Sequence, residues 1–347
     1  MSKKNPSVLI VAPSLRAKGG ITSVIKILRQ GEQWDRFRCR WLGTYVEKNA
    51  FLKMIYFFKA FLLFFFYLPF YDIIHFHVAS GPSLIRKAIL FRIARLAGKK
   101  TIIHMHIGNQ IELLGNSKRF RYIMKYADCV IVLSNATAEY IKRTFPTKNN
   151  IRVLYNPCKE VQEKKTSWEK YILFAGYLDA NKGYRDLLKS FACISNKYEQ
   201  WKLVFAGKGE IDEGKKLAEV LNIGGKVKFI GWITGKQKNE VFSKASALCL
   251  PSYAEGFPMV VLEAWAYGLP VICTPVGGLP DVIRDGENCL VFHPGNIEEL
   301  SIALERIMAD TSLRLNLSKN AIYLSKTRFE PRVICNELKS VYEHMLG

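Results

Sequence analysis

The residues best placed to do chemistry lie together in the stretch Ala247–Gly278. Glu255 and Glu263 stand eight residues apart, with Gly256, Phe257 and Pro258 following the first of them. The apolar run that ends at Pro251-Ser252 reads as a strand. Pro258 or Met259 reads as the first turn of a helix, where proline is tolerated because its missing N–H has no intrahelical partner. Glu255 therefore falls in the loop before the helix, and Glu263 just over a turn inside it. The backbone N–H groups of Phe257, Met259 and Val260 would point at whatever binds there. A helix N-terminus favours an anion such as a diphosphate or a developing leaving group.

Four of the six histidines form two pairs, His75/His77 and His104/His106. Residues two apart on a strand share a face, so the spacing is open to a metal reading or to buried imidazoles hydrogen-bonded near strand ends. A four-histidine metal cluster is set aside, and no metal is expected. Of the eight cysteines none forms a C-x-x-C pair, and most sit in apolar runs such as CVIVLS and ALCLPS. They read as buried, reduced thiols without zinc spacing, as a reducing cytoplasm would keep them.

The elements that must position these residues alternate short β-branched runs with amphipathic stretches, the pattern of parallel sheets wrapped by helices. In the first half, strands are expected at Val8–Pro13, Cys39–Gly43, Asp72–His77, Thr101–His106, Cys129–Leu133 and Ile151–Tyr155. A polar stretch from Pro157 to Lys170 is the best linker. The alternation restarts with strands at Tyr171–Ala175, Lys202–Ala206, Lys226–Ile230, Ala247–Leu250, Pro270–Thr274 and Cys289–Phe292, and the tail after Thr311 is helical. Two Rossmann-like α/β units follow, at 1–158 and 159–325, with a terminal helix at 326–347. The N-terminal MSKKNPSVLIVAPSL reads as a first strand, not a signal peptide.

The net charge is +21, and residues 1–158 hold nearly all of it: 26 Lys and Arg against 7 Asp and Glu, or +19. Residues 159–347 hold 25 against 23, or +2. Such a face attracts nucleic acid or an anionic membrane, but no helix-turn-helix, RNP or zinc-finger signature accompanies it, and nucleic acid is not an expected partner. The run FLKMIYFFKAFLLFFFYLPF, Phe51 to Phe70, is very apolar yet carries Lys53 and Lys59 and ends beyond Pro69. Its uninterrupted core, Ala60–Phe70, is short for a span of about 20 residues. The run reads instead as a helix packed on the sheet or one dipping into a membrane surface.

The segment around the two glutamates resembles the Glu-x7-Glu region of family-4 retaining glycosyltransferases. Pro251, Ser252, Glu255, Gly256, Phe257, Leu262, Glu263, Ala264, Ala266, Gly268, Pro270, Val271 and Ile272 match that hallmark in register. YILFAGYLDANKGYRDLLKSF, LVFAGKGE, VKFIGWI and VIRDGENCLVFHPGN resemble further parts of the second domain. Gly19-Gly20 and Tyr155–Pro157 match the first domain's opening turn and exit. The resemblance implies a GT-B fold, with two Rossmann-like domains facing each other across a cleft and the last helix packing back toward the first.

The resemblance also implies roles. Glu255 would bind hydroxyls of a donor sugar, with the backbone of Gly256, Phe257, Pro258 and Met259 around it, and Glu263 would bind the nucleotide's ribose. Lys182 would neutralise the diphosphate, Gly19-Gly20 would admit the β-phosphate, and His106 would contact donor sugar or acceptor. Lys208 and Ile233 belong to the implied donor-binding set. Tyr177 departs from the pattern, which has Arg there; Lys208 or Arg16, both in glycine-adjacent turns, would be the substitutes. The implied reaction is metal- and cofactor-independent transfer, with retention, from a nucleoside-diphosphate sugar, UDP by default. The acceptor would be a saccharide or a lipid-diphosphate-linked one in cell-surface polysaccharide synthesis, at the inner, cytoplasmic face of a membrane. The alternatives are a nucleotide-sugar-binding protein that has lost transfer, or a sugar-nucleotide epimerase of similar fold.

Overall fold

The computed structural model describes residues 6–108, 111–145, 150–161 and 168–347. Asn109, which follows the His106 turn, and residues 162–167 of the expected linker lie outside the described residues. The chain divides into two compact units, one formed by 1–157 with 331–347 and the other by 158–330.

The first unit carries β1 (Val8–Ala12), α1 (Gly20–Leu28), α2 (Glu32–Arg36), β2 (Arg40–Gly43), α3 (Ala50–Tyr67), β3 (Ile73–Val78) and α4 (Pro82–Leu96). It continues with β4 (Lys100–Met105), α5 (Ile111–Leu114), α6 (Lys118–Tyr126), β5 (Cys129–Val132), α7 (Asn135–Thr144) and β6 (Asn150–Val153). The second carries β7 (Tyr171–Ala175), α8 (Tyr184–Ile194), β8 (Lys202–Ala206), α9 (Ile211–Val220), β9 (Val227–Phe229) and α10 (Gly235–Lys244). After these come β10 (Ala247–Leu250), α11 (Met259–Ala266), β11 (Val271–Cys273), β12 (Leu290–Val291), α12 (Ile297–Ala309) and α13 (Thr311–Lys326). The last helix, α14 (Pro331–Leu346), belongs to the first unit.

Each unit is built on a six-stranded sheet, ordered β2-β1-β3-β4-β5-β6 and β12-β11-β10-β7-β8-β9, and every strand pair in both is parallel. Every residue of β1, β3, β5 and β10 is buried. Parallel strands covered on both faces need continuous apolar runs, which is why these segments stand out in the sequence. Chain order reverses between β1 and β3 in the first sheet and between β7 and β10 in the second. At such a reversal the loops leaving the two strands diverge, and a crevice opens at the strands' carboxyl ends.

Helix α3 corrects the argument that its apolar run is broken at Lys59. The helix runs unbroken through both lysines and continues as a short 3-10 turn at Leu68–Phe70. Ala50–Phe70 spans 21 residues with mean hydropathy 1.8, long and apolar enough to cross a membrane by those measures. One stripe, with Phe57, Ala60, Phe61, Phe64 and Leu68, packs into the core of the first unit. The other face leaves Phe51, Met54, Ile55, Phe58, Leu62, Phe65 and Phe66 exposed. Among the cysteines, all of them free, Cys193 is exposed and Cys39 half-buried, while the other six are buried.

The return to the first unit starts later than residue 326. Helix α13 ends at Lys326, and the Phe329 ring lies 5.6 Å from those of both Phe257 and Trp265, which holds residues 327–330 in the second unit. Helix α14 then packs in the first unit, with Tyr342 edge-on to Phe37 at 5.2 Å.

Gly183 ties β7's loop to β10's. Its φ is +65°, and a Cβ placed there would lie 2.0 Å from the Pro251 carbonyl oxygen. Gly183→Ala therefore combines left-handed strain with a backbone clash, and is expected to cost about 2 kcal/mol or more. A fall in Tm of several degrees on thermal unfolding checks it; an unchanged Tm would contradict the close packing.

Candidate functional site

In the second unit the two loops at the chain reversal carry the key side chains. Asp179 accepts a hydrogen bond from the Lys182 amide at 3.0 Å and so caps the 3-10 turn Ala180–Lys182. That turn aims the Lys182 side chain at the opposite loop, where Nζ donates to Glu255 Oε1 at 2.5 Å. Ser252 Oγ donates to the same oxygen at 2.7 Å, and the Ser252 carbonyl accepts from Thr274 Oγ1 at 2.6 Å. The Glu255 side chain keeps only 10% of its surface exposed. Both bonds fall on Oε1, so among the described residues Oε2 is left for a ligand.

The loop bearing Glu255 is held from behind. Gly278 N donates to the Gly256 carbonyl at 2.7 Å, and a Cβ on Gly277 would lie 2.4 Å from the Glu255 carbonyl oxygen. Helix α11 starts directly after this loop with Pro258 as its N-cap, no side-chain cap and no acidic residue in its first turn. Its first amides are thus available to an anion. The Phe257 side chain is buried against Phe329, so this residue offers backbone rather than ring to a ligand. Pro258 is buried, while Gly256 and Met259 are half-buried.

Glu263, on α11, does not join the Glu255 cluster. Its Oε2 accepts from Lys238 Nζ of α10 at 2.7 Å. Sequence reasoning missed Lys238, because the pair is joined only by the packing of two helices 25 residues apart. Ile233, just before α10, is buried. Lys208 is exposed, and its carbonyl accepts from Leu178 N at 2.7 Å. That approach is possible because Gly207 and Gly209 flank it: a Cβ on Gly207 would lie 1.7 Å from the Gly176 carbonyl oxygen. Lys208 therefore stands in the turn packed beside Tyr177, which is 55% exposed.

In the first unit Gly19 has φ +132° and caps α1, whose first residue is Gly20. Arg16 is exposed in the same loop. The four histidines form one column along β3, β4 and the turn that follows β4, and His77 and His104 are register partners. The His75–His77, His77–His104 and His104–His106 ring centroids are 4.5, 4.7 and 4.4 Å apart. His77 Nδ1 and His106 Nε2 share a hydrogen bond of 2.8 Å, as do His75 Nδ1 and the Tyr342 hydroxyl. His75, His77 and His104 each offer a ring nitrogen within 4.8 Å of the others, which would suit a metal. However, Nδ1 of both His75 and His77 is already hydrogen-bonded. The Lys87 ammonium also acts on His77 and His106 and opposes a further cation.

Burial pushes His75 and His106 down to about 3 and holds His77 and His104 well below the usual histidine range. Lys87 is itself pushed down to about 7 by burial, with Arg86 adding to the effect. The column is therefore neutral at pH 7 and extends to the half-buried His106 at the strand end.

Residues 159–323 match the family described as Glycosyl transferases group 1, and residues 30–159 match Glycosyltransferase Family 4. An uncharacterised glycosyltransferase of Haemophilus influenzae is 33% identical over 57% of this chain and 57% of its own length. A Campylobacter jejuni α-1,4-N-acetylgalactosaminyltransferase is 32% identical over 66% of this chain and 64% of its own. The chain thus spans less than two thirds of either relative. Anabaena HepE in complex with UDP superposes with TM-score 0.76 at 18% identity, over 97% of this chain and all of that one. A sucrose-phosphate synthase from Thermosynechococcus elongatus gives 0.78 at 20%, over 98% and 99%. With its two six-stranded parallel α/β units the fold is of the GT-B class. The chain belongs to the family-4 glycosyltransferases.

The histidine column sets a pH dependence. Folded-state pKa values below the ordinary 6.5 mean that its contribution is fully present above pH 6.5 and is lost as pH falls toward 3. Both ring nitrogens of His104 lack a partner among the described residues. His104→Leu should therefore leave stability at pH 7 unchanged or raised, and flatten the fall in Tm between pH 6.5 and 4. Melting curves across that range check it; a variant that loses several degrees at pH 7 would show that the ring is hydrogen-bonded.

Proposed function

We propose that the protein is a retaining glycosyltransferase that moves a sugar from a nucleoside-diphosphate sugar, UDP-linked by first choice, to an acceptor hydroxyl. The observation that carries this reading is the Lys182–Glu255 contact at the uncapped N-terminus of α11. Departure of the nucleoside diphosphate leaves an oxocarbenium-like sugar and a growing negative charge. Lys182, the exposed Lys208 and the first amides of α11 supply fixed positive charge for that oxygen, worth most where water is excluded. They fill the part that a metal plays elsewhere. Glu255 Oε2 is free to accept from sugar hydroxyls, and Glu263 holds the ribose with Lys238 beside it. Gly19-Gly20 serves the β-phosphate, and neutral His106 serves the sugar or the acceptor. Attack from the same face, with the leaving phosphate oxygen taking the acceptor's proton, gives retention.

The relatives' names support donor and acceptor class. HepE is solved with UDP and with UDP-glucose, and the Campylobacter enzyme is named for a saccharide linked to undecaprenol through PP. A lipid-diphosphate-linked acceptor in surface polysaccharide assembly suits the +19 charge of residues 1–158 and the exposed apolar face of α3. Together they favour a protein seated on the anionic cytoplasmic face of a membrane. Tyr177 favours a second reading, a donor-binding protein with little turnover, since it removes one charge-assisted phosphate contact.

Three outcomes test the reading. Lys182→Ala should lower kcat for donor turnover by about 100-fold or more in a folded protein, the usual effect of deleting one donor to a developing anion. Glu263→Ala should act chiefly on donor KM, by about tenfold, because ribose binding does not change in the transition state. Proton NMR of the product should show the donor's anomeric configuration. An inverted anomer contradicts same-face attack, and donor binding by wild type without transfer or hydrolysis favours the second reading.

A further inference from the structure

A polar cavity of about 420 Å³ lies in the first unit at the other end of the sheet from His106. Arg95, Lys100, Lys125, Tyr126, Asp128 and His344 line it. Its position follows from strand register. Lys100 opens β4, Asp128 directly precedes β5, and Asn150, also in the lining, opens β6 and pairs with Cys129. All of them therefore sit at the amino ends of the strands, whereas His106 follows the carboxyl end of β4.

The charges in the cavity do not cancel. Asp128 is held through one oxygen: its Oδ2 accepts from Arg95 Nη1 at 2.6 Å, from the Thr101 amide at 2.8 Å and from the Thr101 hydroxyl at 2.9 Å. Lys100 and Lys125 make no ion pair among the described residues and are exposed. Arg95 and Asp128 thus neutralise each other and leave two ammonium groups and an imidazole around a concave space, a seat for a phosphate-type anion.

The surroundings indicate which phosphate. Leu96, next to Arg95, is 80% exposed, and Phe70, at the end of α3, is 61% exposed. The two features are contiguous: Lys99 Nζ donates to the Pro69 carbonyl at 3.3 Å, Lys100 N donates to the Asp72 carbonyl at 3.3 Å, and Ile73 is the register partner of Lys100. The cationic cavity therefore borders the end of the exposed apolar face of α3. A free phosphate needs only the cations. An anionic phospholipid uses both features, its headgroup in the cavity and its acyl chains against the apolar rim.

We propose that this cavity seats the phosphate of one anionic phospholipid headgroup and so fixes how the first unit lies on the membrane. The proposal rests on the membrane reading above but assigns it a defined site, separate from the residues proposed for transfer. The test compares wild type with Lys100→Glu/Lys125→Glu and with Lys118→Glu/Arg119→Glu, which makes the same charge change at the far end of α6. Flotation uses phosphatidylcholine vesicles with and without phosphatidylglycerol, and calorimetry uses inorganic phosphate and glycerol 3-phosphate. The expected result is binding that requires phosphatidylglycerol, lost by tenfold or more in the cavity variant and by less than threefold in the control. Turnover of a water-soluble acceptor should be unchanged in both.

Equal losses in the two variants would overturn the seat in favour of diffuse charge. A cavity variant that binds vesicles like wild type would overturn it while the membrane reading stands. Failure of wild type to bind anionic vesicles at low salt would overturn both. Tight phosphate binding lost in the cavity variant, with vesicle binding intact, would assign the cavity to a free phosphate and overturn the lipid.

Discussion

The candidate site depends on two loops from non-consecutive strands meeting at one point. Gly183 brings the end of β7's loop against the carbonyl of Pro251 at the end of β10, closer than any side chain would permit. With the backbones that near, Lys182 on one loop reaches Glu255 on the other across 2.5 Å. The topology makes this meeting place. Chain order in the second sheet reverses between β7 and β10, so the loops leave in opposite directions and open a crevice that a ligand can enter. Gly277 and Gly278 repeat the device on the far side, pressing the loop of β11 onto Glu255 and Gly256. Glycine at 183 and 277 is thus a requirement of backbone approach, and Glu255 is its beneficiary.

The two units divide the chemistry by charge. The second, almost neutral overall, pairs its site carboxylates with lysines: Glu255 with Lys182, and Glu263 with Lys238. Among the described residues each pair engages one carboxylate oxygen and leaves the other without a partner, so the lysines orient the acids without occupying them. The first unit has a large excess of cations and few acids to pair them. Its interior is different again, a neutral column of imidazoles held uncharged by burial, with Lys87 beside it. A cationic exterior suits an anionic surface, and a neutral strand-end histidine suits hydroxyl recognition.

Much of this was legible in the residues. The strands stood out because parallel sheets bury both faces and so write continuous apolar runs; β7, β8 and β10 fall at the expected bounds. The loop-helix placement of Glu255 and Glu263 followed from Pro258 and from the 3.6-residue turn. Short elements such as α2 and α5 went unseen because five or four residues carry no periodicity. The Glu263–Lys238 pair and the Gly277 clamp were hidden for a different reason: they exist only where separate segments pack. The apolar run of α3 misled in part. Its lysines suggested a break, yet a helix with one packed stripe and one exposed face carries them on its surface without interruption.

The central claim is that Lys182 and Glu255 act as one donor-binding unit. A double-mutant cycle tests it directly, with the affinity for UDP-glucose or the best donor measured by calorimetry for wild type, Lys182→Ala, Glu255→Gln and the double variant. The account predicts losses that do not add, with a coupling of about 1 kcal/mol or more, as expected for groups in contact around one ligand. Additive losses, or nucleotide-sugar affinity indifferent to both substitutions, would contradict it.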